Sequence, residues 1–160
     1  MLNKHIFTSN SEDWETPQAL YDLLNEKYHF DLDACADETN FKHEVYFSKE
    51  ENSLEQTWFG TVFMNPPYGP QIKKWVAKAY SESQKGNCTV VCLLPSRTDT
   101  VWFHDFCTKG NITFIKGRLK FSNSKSSAPF PSMITVFKQN PDPENYIEEK
   151  PFSFNNMGGE

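Results

Sequence analysis

The residues Asn65-Pro66-Pro67-Tyr68 bring an amide, a proline carbonyl and an aromatic ring together on one short stretch. The apolar run before them, Thr61-Val62-Phe63-Met64, reads as a short buried strand. Two prolines cannot continue a strand ladder, so the chain must leave the sheet there, at the strand's carboxyl end. Open α/β sheets bind ligands at that edge. A stiff turn of this composition suits a planar amine. The Asn65 oxygen and the Pro66 carbonyl can accept its two N–H bonds while Tyr68 stacks on the attached ring. Two other readings use the same residues. Pro-Pro can simply stop a strand, with Tyr68 a core aromatic, or the segment can be an Asn-Pro-x-Tyr peptide docked by a partner domain. The second needs an exposed segment, and Val62-Phe63-Met64 argues for a buried one.

The elements that must position this turn follow from periodicity. Thr16-Pro17 predicts a helix start, with Thr16 as N-cap and Pro17 at the first helical position. Ala19, Leu20, Leu23, Leu24 and Tyr28 then fall at helical spacing, so a helix is expected over 17–28. Its amino terminus could receive an anion such as a carboxylate. Phe30-Asp31-Leu32-Asp33-Ala34-Cys35-Ala36-Asp37 alternates apolar residues with acids before small residues take over, as where a strand ends beside a ligand. Acids there could hold a ribose hydroxyl or an ammonium group, or be solvated on a half-exposed strand. Val45-Tyr46-Phe47 predicts a second strand. Gly69-Pro70 opens a second helix with Ile72, Trp75, Val76, Ala79 and Tyr80 on its apolar face and Lys73, Lys74 and Lys78 off it. Cys88-Thr89-Val90-Val91-Cys92-Leu93-Leu94 reads as a central parallel strand, ended by Pro95-Ser96-Arg97-Thr98-Asp99 at the same edge as Asn65. A third helix is expected over 100–107, a strand over 112–115, and a last strand over 132–137 that forms an antiparallel edge hairpin with it.

A length of 160 residues predicts one domain with a real core. No apolar run approaches the roughly 20 residues that span a bilayer. The polar opening residues lack a signal-peptide pattern, so a cytosolic protein is expected. The four cysteines form no Cys-x-x-Cys pair and have no histidine at ligand spacing, which speaks for buried thiols rather than zinc or disulfides. A net charge of −5 argues against a broad nucleic-acid-coating surface. Residues 109–125, however, hold Lys109, Lys116, Arg118, Lys120 and Lys125 and no acid. They form either a solvated hairpin face or a phosphate-contacting patch. The Gly-x-Gly-x-x-Gly of a dinucleotide fingerprint is missing, which disfavours NAD.

Taken in order, these motifs resemble those of the phage-type DNA N6-adenine methyltransferases, a branch of the S-adenosylmethionine-dependent amino-methyltransferases. The resemblance runs from about Trp14 to Phe137. Trp14-Glu15-Thr16-Pro17 is similar to the family's cofactor-side N-terminal motif, and Phe30 to Ala36 to its first strand and loop. Asn65-Pro66-Pro67-Tyr68 is similar to its catalytic motif. Gly117-Arg118-Leu119-Lys120-Phe121 with Ala128-Pro129-Phe130-Pro131-Ser132 is similar to its C-terminal hairpin. The resemblance implies an α/β, Rossmann-like methyltransferase fold, mostly parallel with an antiparallel edge hairpin, over 14–137. Residues 1–13 would be a flexible arm and 138–160 a C-terminal tail, partly disordered. It implies S-adenosylmethionine held by Trp14, Thr16, Pro17, Asp31, Asp33, Ala34, Cys35 and an acid such as Glu50 or Glu51. It implies catalysis at Asn65, Pro66, Pro67 and Tyr68, and DNA met by Tyr68, Lys116, Arg118, Lys120 and Phe130. It implies no metal, and a phage- or prophage-encoded protein acting in a bacterial host's cytoplasm.

Two departures from the family pattern matter. Only about a dozen residues link Phe47 to Thr61, too few for a helix-strand-helix excursion, so a truncated sheet is expected. There is no separate target-recognition domain, so specificity must come from loops, the basic hairpin or a homodimer. Methylation of RNA adenine or of protein glutamine would use the same tetrapeptide, since each presents a planar amine. A catalytically inactive methyltransferase fold serving as a binding module is the non-enzymatic alternative.

Overall fold

The computed structural model describes residues 12–140; the tail proposed beyond 140 and the first eleven residues of the proposed arm lie outside them. A mixed five-stranded sheet carries three helices among the described residues. In chain order these are α1 (Gln18–Tyr28), β1 (Leu32–Asp33), β2 (Gly60–Met64), α2 (Ile72–Gln84), β3 (Cys88–Pro95), α3 (Val101–Asp105), β4 (Asn111–Phe114) and β5 (Ser132–Phe137). The strands lie in the order β1-β2-β3-β5-β4. The first three are parallel, with Leu32 opposite Val62 and Met64 opposite Cys92. Strand β5 is antiparallel to both β3 and β4. The expected terminal hairpin is present, with its second strand inserted inside the sheet and β4 at the edge.

The apolar strands are buried because helices cover both faces. Side chains alternate across a strand, and directly paired residues share a face. Tyr21 of α1 meets the Phe63 ring edge-on at 5.3 Å. Tyr80 of α2 meets Phe137 at 5.7 Å, and Phe137 is paired with Val90, which is paired with Val62. Helices α1 and α2 therefore lie on opposite faces. Strand β3, wholly buried from Val90 to Pro95, is the central strand its unbroken apolar run predicts.

Four local expectations need correction. Helix α1 starts at Gln18; Pro17 occupies the cap position with φ −57° and ψ 132°, and no side chain caps the helix. Thr16 is not the cap: the first intrahelical bonds, from Leu20 and Tyr21 N–H, close on the Pro17 carbonyl, and the Thr16 hydroxyl accepts from Asn65. Val45-Tyr46-Phe47 is reduced to a single parallel bridge between Tyr46 and Asp33, although Asp33 N–H donates to the Val45 carbonyl and Phe47 N–H to that of Asp33. Helix α3 spans Val101–Asp105, capped by the Thr100 hydroxyl, and a separate 3-10 turn follows at Cys107–Lys109. Lys78 does not sit off the packed surface. Its ammonium lies 2.5 Å from the buried Glu82 carboxylate, donates to the Gln56 carbonyl and lies over the Trp58 ring. That ring, fully buried, donates to the Ser53 carbonyl. The short 48–59 connection is thus pinned by one tryptophan and one lysine in place of a helix.

At the amino edge of the sheet, Gly60 has φ +68°, and a Cβ there would come within 2.3 Å of the Asp31 carboxylate. That carboxylate accepts from Thr61 N–H at 2.8 Å and locks the start of β2 to the start of β1. Gly60→Ala should cost about 1–3 kcal/mol, from left-handed backbone strain and the displaced carboxylate. A urea titration checks this, and an unchanged midpoint would contradict it.

Candidate active site

The carboxyl edges of β1 and β2 form a topological switch point. From β1 the chain moves outward to Tyr46, whereas from β2 it moves the other way to β3. Neighbouring connections that diverge leave a crevice above the strand ends, where open α/β sheets take their ligands. Asn65 stands at that edge, immediately after β2.

Its amide is held in one orientation. The Nδ2 group donates to the Trp14 carbonyl at 2.5 Å and to the Thr16 hydroxyl at 2.9 Å. A backbone carbonyl can only accept, so the nitrogen must lie on that side and the oxygen on the other. Asn65 Oδ1 is buried and has no hydrogen-bond partner. A buried acceptor left bare costs roughly 1–3 kcal/mol, so the site is poised for a donor.

The acceptors that orient Asn65 are themselves clamped. Tyr68 N–H donates to the Glu12 carbonyl at 2.7 Å, and Ser122 N–H to that of Glu15 at 2.9 Å. The Asn123 side chain accepts from Glu15 N–H and donates to the Asp13 carbonyl. The Ser122 hydroxyl donates to the Thr16 carbonyl. Residues 12–16 therefore lie between the Asn-Pro-Pro-Tyr turn and the 115–131 connection. Glu12 and Asp13, expected in the loose arm, are tied into this clamp.

Around the amide is an aromatic cluster. Tyr68 packs edge-on against Phe130 at 5.5 Å and Phe121 at 6.2 Å. Trp14 meets the same two rings at 5.1 and 5.4 Å. The Tyr68 hydroxyl donates to the Leu93 carbonyl at 2.9 Å, and burial pushes its pKa well above the ordinary phenol range. Tyr68 is a fixed neutral ring, and only 8% of it is exposed. Stacking on a base would have to open this packing. Phe130, also buried, lies in the same cluster. Pro66 is buried and Pro67 half-buried within the turn.

The other predicted residues divide. Asp33 is buried where β1 ends, and its two oxygens accept from Cys35 and Lys42 N–H at 3.3 and 3.0 Å. It thereby shapes the loop that follows the strand. Ala34 is fully buried and extends the ladder to the Phe63 carbonyl, and burial drives the Cys35 thiol well up. The Pro17 carbonyl accepts from the Leu20 and Tyr21 amides of α1. Glu51 is exposed beyond the Tyr46 bridge; its carboxylate accepts from Ser48 N–H at 2.6 Å, which lowers its pKa. Asp31 is not brought to this crevice. It is committed to Thr61 at the opposite, amino edge. Lys116, Arg118 and Lys120 are exposed while Leu119 and Phe121 are buried, so the basic groups sit outside an anchored loop. Sequence reasoning did not single out Ser122, Asn123 or Arg97. The first two lay in a stretch read only as polar, and no local pattern marks amides that pair with backbone 108 or more residues away.

The sheet and this edge define an open, mixed α/β domain whose connections diverge after β1 and β2. The profile of the family described as DNA N-6-adenine-methyltransferase (Dam) matches residues 3–151. A DNA N-6-adenine-methyltransferase of Haemophilus phage HP1 (strain HP1c1) is 33% identical over 149 residues, covering 86% of this chain and 85% of that protein. One from Escherichia phage T1 is 37% identical over 94 residues, covering 56% of this chain and 38% of that protein. The chain belongs to the DNA N-6-adenine-methyltransferase family.

Burial raises the Asp33 pKa from 3.8 to about 6, against the lowering effect of its two backbone N–H donors. The folded state then holds the proton more tightly than the unfolded chain between those values. The stability this confers is complete below about pH 4 and is lost as pH rises through about 6, by at most about 3 kcal/mol. Asp33→Asn should abolish that slope. Urea midpoints of both proteins from pH 4 to 7.5 test this, and a pH-independent difference between them would contradict it.

Proposed function

We propose that this chain transfers a methyl group to N6 of adenine in DNA, with Asn65 as the residue that orients the amine. The observation that carries the reading is the Asn65 amide, locked by two acceptors with its buried oxygen bare. Family membership supplies the reaction and the substrate class.

The N6 lone pair of adenine is delocalised into the ring, which makes the amine a weak nucleophile. Asn65 Oδ1 accepts one N6 hydrogen and the Pro66 carbonyl the other. Both bonds favour a nitrogen whose lone pair is released from the ring and aimed at the methyl donor. Orientation and fixed dipoles lower the barrier, with Asn65 pre-set before the base arrives. Being neutral, the Asn65 amide does not take the proton that N6 loses, which passes to solvent. A base in a duplex must leave the stack to reach Asn65, and Lys116, Arg118 and Lys120 then neutralise phosphates beside it.

The residues at the switch point fit S-adenosylmethionine, which supplies an electrophilic sulfonium methyl when bound. The Asp33–Cys35 loop, Trp14, Thr16 and Pro17 would hold it. Glu51, exposed beyond the Tyr46 bridge, is the acid assigned to the ribose hydroxyls. Asp31, at the far edge, is left out. With the Tyr46 segment beside β1, the sheet is read as a Rossmann-like methyltransferase fold lacking one outer strand and helix. The protein is proposed to act in the cytoplasm of a phage's bacterial host.

The test is methyl transfer from labelled S-adenosylmethionine to unmethylated DNA, followed by nucleoside analysis. Wild type should yield N6-methyladenine. Asn65→Ala should lower kcat on the order of 10²- to 10³-fold while cofactor binding persists. A wild-type rate in the variant would remove Asn65 from the chemistry. Methylation of RNA or protein glutamine, with none of DNA, would overturn the substrate.

A further inference from the structure

Arg97 leaves the carboxyl end of β3, and its guanidinium carbon lies 5.8 Å from the centre of the Phe130 ring. Phe130 is 7% exposed and packs edge-on against Trp14 and Tyr68. Arg97 itself is exposed, and among the described residues no carboxylate lies within ion-pair distance of it. Its backbone is fixed: the carbonyl accepts from the Thr100 amide and hydroxyl, and its N–H donates to the Pro95 carbonyl. The adjacent Ser96 N–H donates to the Pro131 carbonyl at 2.9 Å, tying the end of β3 to the loop that carries Phe130. A planar cation is therefore held as the outermost layer of the aromatic cluster beside Asn65.

A guanidinium in cation–π contact spends none of its N–H donors on the ring, so its planar fork stays available. That is the geometry of two parallel bonds to a phosphate. The connection Arg97 adjoins also exposes Lys116, Arg118 and Lys120. We propose that Arg97 is a positioning residue that grips a phosphate of the target strand next to the extruded adenine. It thereby joins the basic loop to the catalytic turn. This rests on the reading of the chain as a DNA methyltransferase.

The experiment measures KM for a DNA duplex, kcat and the salt dependence of DNA binding for wild type, Arg97→Ala and Arg97→Lys. Melting temperature and S-adenosylmethionine affinity serve as controls. Arg97→Ala should raise KM for DNA on the order of tenfold and keep kcat at saturating DNA within about twofold. The slope of log affinity against log salt should become shallower by about 0.9. Arg97→Lys, which keeps the charge and loses the fork, should restore the slope and only part of KM. A merely structural role would not move the slope in this way.

Unchanged KM and slope in Arg97→Ala would overturn the proposal. So would a fall in kcat with KM intact, or a change in sequence preference in place of the slope change, which would make Arg97 a base reader. Should Arg97→Ala melt early, the Lys variant decides: its KM would equal that of wild type if the fork makes no bidentate contact. A wild type that leaves DNA unmethylated would defeat the parent reading, whereas active wild type with indifferent variants would defeat this proposal alone.

Discussion

The pair of bonds from the Asn65 amide to the Trp14 carbonyl and the Thr16 hydroxyl is the constraint on which the site depends. An isolated asparagine amide rotates and presents either end. Here both hydrogens are used, and the oxygen is left in a buried position without a donor. The bare acceptor is a local cost of roughly 1–3 kcal/mol. The fold tolerates it because the surrounding segments are over-determined. Residues 12–16 are held by Tyr68 on one side and by Ser122 and Asn123 on the other.

The sheet serves the same end. Three parallel strands place the ends of β1, β2 and β3 on one edge, and the divergence of the chain after β1 and β2 opens that edge. Gly60 and Asp31 fix the register of the two short strands from the opposite edge. Two strands of unequal length, one only Leu32–Asp33, would otherwise have few bonds to prevent slippage. The register-fixing contact thus lies at the amino edge, away from the carboxyl edge where Asn65 stands.

Much of this was legible in the chain. Proline pairs stop strands, so the position of Asn65 at a strand end followed from residue types alone. The unbroken apolar run of β3 marked the centre of the sheet, and the apolar face of α2 was readable from its spacing. Other features were not legible, for physical reasons. Thr16 before Pro17 has the chemistry of a helix cap, but the same hydroxyl can accept from a side chain 49 residues away, and only the fold decides between them. Asp31 and Asp33 are one strand period apart, yet one serves the amino edge and the other is buried at the carboxyl edge. Spacing alone puts Lys78 off the apolar face of α2; Glu82 and the Trp58 ring supply the partners that hold it in.

The 115–131 connection joins the exposed basic residues to the segment that orients Asn65. It exposes Lys116, Arg118 and Lys120 outward and buries Leu119, Phe121 and Phe130 inward. One residue past the buried Phe121, Ser122 bonds the backbone of Glu15 and Thr16, so the basic face and the clamp on Asn65 belong to one short piece of chain. Ala128 N–H donates to the Leu119 carbonyl at 2.7 Å and closes that piece on itself. If Lys120 meets a phosphate as proposed, that contact is joined to the acceptors of Asn65 through fixed bonds and packed rings, not through a flexible tether. The chain carries a net charge of −5, and this loop gathers exposed positive charge on the same piece of chain that bonds residues 13–16.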